Sequence, residues 1–268
     1  MSSLPTAVVL PRPSKHRAWL RLSPLSWLVS PLLVLLAWTW VAQSGRYSEQ
    51  LLVPPAVVWD TFKDLLRSGE LWEHIQYSLA RLGIGFACGA GAGLIFGVVL
   101  ALSKTVEVYC SPLFHTMRQI PSIALIPMFI LAFGVEETFK VLIVTKAVFF
   151  PVALATSEGI KAIPRSYFEV GRIYRLPLRH LLLDIAFPAA APPTLTGIRI
   201  GLSRAWMVLV AAELLAADSG LGQMIEMARQ MMRIDIVMVG VVVIGVIGFT
   251  LDYGFRLLEK RLFRWKTR

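Results

Sequence analysis

Six apolar runs, each close to the length needed to cross a bilayer, dominate the sequence and leave little freedom in what it can fold into. They are Leu25 to Gln43, Ser78 to Ser103, Ile120 to Gly134, Phe139 to Ile160, Thr194 to Ala216 and Ile236 to Phe255. A helix crossing the hydrocarbon needs about 20 apolar residues, and hydrocarbon offers no water to an unpaired backbone group, so such runs read as spanning helices. Ile120 to Gly134 is the shortest. It holds Pro121 and Pro127, so we expect this span to start earlier, near Pro112, and to be kinked. Only 16% of the residues are charged, against roughly 25% in soluble domains, so the expected class is an all-α membrane protein with about six transmembrane helices.

The net charge of +10 is not read as a nucleic-acid signature, because the basic residues cluster at the ends of the apolar runs. Lys104 and Arg118, then Lys161 to Arg179, then Arg256 to Arg268 fall on one side of a six-span chain. Glu136, Glu137, Asp218, Glu226 and Asp235 fall on the other, with Arg229 and Arg233 as exceptions. The positive-inside rule therefore places both termini in the cytoplasm. The expected organisation is a cytoplasmic tail over 1–24, a transmembrane domain over 25–257 and a basic cytoplasmic tail over 258–268. A cleaved signal peptide is disfavoured, because no clear small-residue site follows Leu25 and Trp38-Thr39-Trp40 reads as an interfacial belt.

Two further local patterns stand out. Gly85, Gly89, Gly93 and Gly97 recur every fourth residue, placing a small-residue stripe on one face of the second span and predicting close packing against a neighbouring helix. Between the first two spans, 56–67 has a helical pattern with Trp59, Phe62 and Leu66 on one side and Asp60, Lys63 and Asp64 on the other, as expected of an interfacial helix.

The segment from Lys161 to Pro193 is a basic island between apolar runs. Ser166 and Glu169 have the spacing of a capping box, so a helix is expected from Tyr167. Leu176-Pro177 should break it, a second helix should run from Pro177 towards Phe187, and Pro188, Pro192 and Pro193 should stop that one. Tyr167, Val170 and Tyr174 share one face and Arg165, Arg172 and Arg175 the other. This pattern suits both a helix lying in lipid headgroups and a knob that docks into another protein.

Glu169-Val170-Gly171, three residues to Arg175, then nine to Ile185-Ala186-Phe187-Pro188 reproduce a known spacing. It resembles the EAA loop of ABC-importer permeases, with Val170, Gly171, Arg175 and Phe187 departing from the usual identities. Elsewhere, Leu52-Val53-Pro54-Pro55, Arg118-Gln119-Ile120-Pro121, Phe133 to Glu137 with Lys140, Ala211-Ala212-Glu213 and Ser219 to Gly222 resemble the nitrate, aliphatic-sulfonate and taurine class of these permeases. The resemblance implies the type I importer permease fold. It also implies a homodimer, two separate ABC ATPases and a periplasmic or lipid-anchored solute-binding protein, in a bacterial inner membrane. The coupling loop would be 161–188, with Tyr167, Glu169, Val170, Gly171, Tyr174, Arg175 and Pro188 engaging the ATPase. The solute implied is an aliphatic sulfonate, with taurine and nitrate or bicarbonate as alternatives. No cofactor or metal is implied on this chain, ATP and magnesium being used by the ATPase.

No G-x-x-x-x-G-K-[ST], H-E-x-x-H or G-x-S-x-G pattern is present, and the four histidines are scattered. The chain is therefore not expected to be an enzyme or to hydrolyse ATP itself. A channel or secondary transporter would also explain the spans and their charges, though not the spacing of the island. Charges inside spans mark candidate pathways. Lys146, Arg204 and Glu213 are the candidates here. Lys146 and Arg204 could face an anionic solute, or Lys146 could form an internal ion pair with Glu213. Arg199 is expected to reach the membrane surface.

Overall fold

A computed structural model describes residues 26–44, 52–164, 166, 169, 173, 177–180 and 187–262. Every regular element among them is helical. The chain divides into two units, Met1–Pro55 and Ala56–Arg268. In the first, α1 (Ser26–Gln43) is apolar all round with Pro31 inside it, and the Trp38 indole N–H donates to the Val53 carbonyl at 3.2 Å.

The second unit is built on α3 (Glu70–Leu102), α6 (Glu137–Lys161) and α8 (Phe187–Leu215). Where α3 meets α6, a Cβ at Gly85 would stand 2.6 Å from Val144, one at Gly89 2.5 Å from the Thr145 carbonyl, one at Gly93 2.8 Å from the Phe149 carbonyl, and one at Gly97 2.6 Å from the Ala153 carbonyl. The glycine stripe is thus the contact surface itself, and the two helices run parallel. On its other side α6 meets α8, where Gly159 faces Pro193, Gly197 faces Ala155 and Gly201 faces Val148, so these two run antiparallel. Backbones at such distances exchange dispersion contacts that larger side chains would prevent.

Because α3 and α6 are parallel, the chain between them must travel back the length of the packing. It does so through α4 (Lys104–Met117) and, after a 3-10 turn at Ser122–Leu125, α5 (Ile126–Phe133). The two halves are bent by 85° at a corner over 118–121. Pro112 lies within α4, so the kink falls at Pro121, which lacks an amide hydrogen and disfavours helix in the residue before it. Two apolar clusters fill the unit. Ile126, Phe139, Ile143 and Val208 lie towards one end. Phe96, Phe114, Phe149 and Phe150 lie towards the other, with ring centroids such as Phe114–Phe150 at 5.2 Å.

Glu70–Leu102, Glu137–Lys161 and Ile234–Leu262 are long and apolar enough to cross a membrane, and the bent pair makes a fourth such segment. At 29 residues α8 has the length but carries Arg199, Arg204 and Glu213. α1 contributes a shorter apolar stretch, Val29–Gln43. Helix α7 is described over Leu178–His180, directly after Pro177, and the expected break at Leu176 and the run on towards Phe187 lie outside the described residues. α9 (Leu221–Gln230) and α10 (Ile234–Leu262) complete the chain.

One expectation is corrected. The prolines do not stop a helix before the fifth apolar run: Pro188 sits in the first turn of α8, and Pro192 and Pro193 lie inside it. The Pro193 ring packs on Gly159, and a neighbouring helix of this kind lets a membrane helix keep an internal proline. In α2 (Pro55–Ser68) Val58, Thr61 and Leu65 are buried, while Trp59 and Leu66 are exposed, so the apolar face expected to meet the interface stays open. Arg199, expected to reach the membrane surface, ion-pairs with Asp252 at 3.4 Å and Glu259 at 3.3 Å of α10.

Candidate functional site

A cavity of about 800 Å³ opens between the α4–α5 corner, the second half of α6 and the first half of α8. Arg118 and Gln119 enter it from the corner, Phe150, Leu154 and Glu158 from α6, and Thr196, Ile200 and Arg204 from α8. Arg118, Glu158 and Arg204 are all exposed. Two guanidinium groups outnumber the one carboxylate, Glu158, on a wall that is otherwise mainly apolar, and they suit an anion with several acceptor oxygens, since each presents a planar fork of donors.

Lys146 does not line this cavity. Its ammonium donates to the Ile120 carbonyl at 2.9 Å and the Ser122 hydroxyl at 3.4 Å, and lies 5.5 Å from the Phe150 ring centroid. A helix that ends leaves carbonyls without partners. Lys146 supplies the missing donor at the corner and ties it to α6, so it holds the segment that carries Arg118 and Gln119. Lys146→Met should therefore lower stability by about 1.5–3 kcal/mol, the range for a lost hydrogen bond to a charged group. Thermal unfolding of the detergent-solubilised chain would check this, and an unchanged midpoint would mean that the ammonium does not hold the corner.

Glu213 is paired elsewhere. At the end of the unit where α3 and α6 begin and α8 finishes, the Arg81 guanidinium uses all of its donors. Nη1 donates to Glu213 at 2.8 Å and to the Ser219 carbonyl at 2.7 Å. Nη2 donates to Glu137 at 2.7 Å and to the Ser219 hydroxyl at 2.6 Å, and Nε donates to the second Glu137 oxygen. Ser78 donates to Glu213 at 2.8 Å and accepts from the Leu221 amide at 2.9 Å. The Gly222 amide donates to Glu213 at 3.0 Å, and Lys140 donates to Glu137 at 3.0 Å. Side-chain exposure is 3% for Arg81, 2% for Lys140 and 0% for Glu213, against 60% for Glu137.

The turn over 219–222 fits this cluster because two of its residues have no side chain. Gly220 has φ +107°, and a Cβ there would stand 2.4 Å from a Glu213 oxygen. At Gly222 it would stand 2.6 Å from the Glu213 Cβ. Beyond Glu213 lies a smaller recess of about 380 Å³, lined by Asp218, Gln223, Glu226 and Gln230 among others. Hydrogen bonds from Arg229, and then Gln230, bring the Glu226 carboxyl down to about 2, so it stays ionised at any physiological pH.

The structure therefore does not bring Lys146, Arg204 and Glu213 together. Arg204 lines the cavity, Lys146 holds the corner, and Glu213 is buried against Arg81. Arg81, which sequence reasoning missed, is an arginine a few residues into an apolar run, where a charge reads as a helix end. In the basic island, Ser166 and Glu169 are helical and exposed, as is Ile173, and Pro188 is exposed at the start of α8. Tyr167, Val170, Gly171, Tyr174 and Arg175 lie outside the described residues.

The sequence matches the family described as binding-protein-dependent transport system inner membrane component over residues 90–264. The chain belongs to that family. A Bacillus subtilis relative named as the putative aliphatic sulfonates transport permease protein SsuC is 38% identical over 89% of this chain and 87% of its own. The taurine transport system permease protein TauC of Escherichia coli is 33% identical over 88% of each chain. A solved structure, an amino acid ABC transporter with histidines, superposes with a TM-score of 0.60 over 76% of this chain and 96% of that one, at 15% identity, so the likeness to it is one of fold. The fold is that of a type I importer permease. The chain is the membrane-embedded transport component of an ABC importer, not an enzyme, and the family implies an ATPase and a solute-binding protein as partners.

Proposed function

We propose that this permease imports a small organic sulfonate, handed over by a solute-binding protein and driven by a separate ABC ATPase that uses ATP and magnesium. The observation that carries the solute class is the cavity flanked by Arg118 and Arg204. The names borne by relatives at 38% and 33% identity support it. Taurine belongs to the same chemistry, a tetrahedral sulfonate whose three oxygens can each accept from a guanidinium fork. Nitrate, smaller and planar, fills less of such a space. Two copies of the permease would enclose the path, with both termini in the cytoplasm and the Lys161 end of α6 facing it.

The 161–188 island, between α6 and α8, is the coupling loop in this reading. Tyr167, Val170, Gly171 and Tyr174 would enter a groove of the ATPase, Arg175 and Pro188 would frame the loop, and the exposed Glu169 would hold the helix start. The test is reconstitution with ATPase and binding protein, following ATP hydrolysis as an alkanesulfonate, taurine or nitrate is added. Hydrolysis should rise with the sulfonates, only in the presence of binding protein. Glu169→Lys should abolish uptake, by at least tenfold, while the chain still inserts in the membrane. Normal uptake by that variant would refute the coupling role, and absence of any ATPase association would favour a channel or secondary carrier.

A further inference from the structure

We propose that Arg81 is a positioning residue for transport, fastening the far ends of the helices that the coupling loop drives, so that a displacement of the loop reaches the opposite side of the membrane. The inference rests on the coupling role given to the 161–188 segment. That segment joins the end of α6 to the start of α8. Both helices run from it to the Arg81 cluster, α6 beginning there with Glu137 and Lys140 and α8 ending there with Glu213. Arg81 itself stands on α3, which packs along α6 through the glycine stripe but is not continuous with the loop.

The guanidinium thus joins three helices and the 219–222 turn at one point, with each of its N–H groups in use. α6 and α8 run antiparallel, and a push at the loop would slide or splay one against the other unless their far ends were fixed. The glycine contacts between α6 and α8 resist separation and large slides, but dispersion contacts are non-directional and yield to small shifts. Directional, charge-assisted hydrogen bonds from one buried group fix the register. Glu137 is the exposed arm of the cluster, so neutralising it weakens the fastening while Arg81 keeps Glu213 as its counter-charge, although the buried Lys140 then holds only a neutral amide.

The experiment uses the full transporter, permease with ATPase and binding protein, in proteoliposomes, with butanesulfonate as the probe. Uptake and ATP hydrolysis are measured on the same preparation for Glu137→Gln and for the paired change Arg81→Met with Glu213→Gln, which removes both buried charges together. The wild-type complex must first show hydrolysis stimulated by loaded binding protein. If it does not, the importer reading fails independently of this proposal. We expect both variants to assemble and to keep stimulated hydrolysis within about twofold, while butanesulfonate carried per ATP falls at least tenfold for the paired change and severalfold for Glu137→Gln. An unchanged ratio of uptake to hydrolysis would overturn the proposal. So would failure of both variants to assemble, which would make Arg81 a folding residue only. If only the paired variant fails to assemble, Glu137→Gln decides by its ratio.

Discussion

Gly89→Leu should abolish the folded permease, and Gly89→Ala alone should cost about 3 kcal/mol or more, at the upper end of the range for overpacking. A Cβ at this position would lie 2.5 Å from the Thr145 carbonyl oxygen and 2.8 Å from the Val148 Cβ. The first of these is backbone inside a helix and cannot turn aside as the tip of a flexible side chain can, so α3 and α6 must move apart. Separation at Gly89 also opens the contacts at Gly85 and Gly93, one turn away on either side. At Gly83 and Gly91, on the same helix, an added methyl would meet nothing within 4 Å. Alanine at either should be tolerated or slightly stabilising, because glycine is the poorer helix former by about 1 kcal/mol. Size-exclusion profiles and thermal unfolding of the detergent-solubilised protein would check this. The Gly89→Ala midpoint should drop by ~10 °C, the controls should shift little, and Gly89→Leu should give no monodisperse peak. Equal tolerance at Gly89 and Gly91 would contradict the close approach of α3 and α6.

That contact is legible in the sequence because it is a one-dimensional signal: four glycines at four-residue spacing on an apolar run have one structural use in a membrane helix. The segments that resemble the permease class are legible too, but only as separate stretches. Glu137 with Lys140, Glu213, and Ser219 to Gly222 meet around Arg81, across sequence separations of 56 and 132 residues. No periodicity reports such a meeting, and nothing local distinguishes Arg81 from a charge that reaches back to the membrane surface. The apolar face of α2 with Trp59 and Leu66 is legible as a surface for the interface and is exposed, whereas the inward face, Val58, Thr61 and Leu65, includes a threonine and carries no comparable signal. The prolines of α8 show the same limit, since whether a proline ends a helix depends on what packs against the gap it leaves. Lys146 stands out in the sequence as an ion in an apolar run. Its partner is a backbone carbonyl freed by the corner at 118–121, a feature of shape that residue types alone do not encode.

Arg81→Met by itself should destabilise the permease by about 3–5 kcal/mol, more than the paired change with Glu213→Gln. Removing one member of a buried pair leaves the other charge without compensation, whereas removing both gives back most of the desolvation cost. Glu213 would keep Ser78 and the Gly222 amide as donors, so its carboxylate would retain two hydrogen bonds but lose its counter-charge. Glu137, with 60% of its side chain exposed, would turn to water at little cost. The Ser219 carbonyl and hydroxyl, which Arg81 also holds, would be released with it, loosening the turn before α9. Thermal midpoints for wild type, each single change and the pair form a double-mutant cycle. The coupling between Arg81 and Glu213 should be about 2 kcal/mol or more in the stabilising direction, with the pair closer to wild type than Arg81→Met is. A coupling near zero would mean that the two side chains contribute independently, and it would leave the turn over 219–222, rather than the ion pair, as what joins α3 to the end of α8.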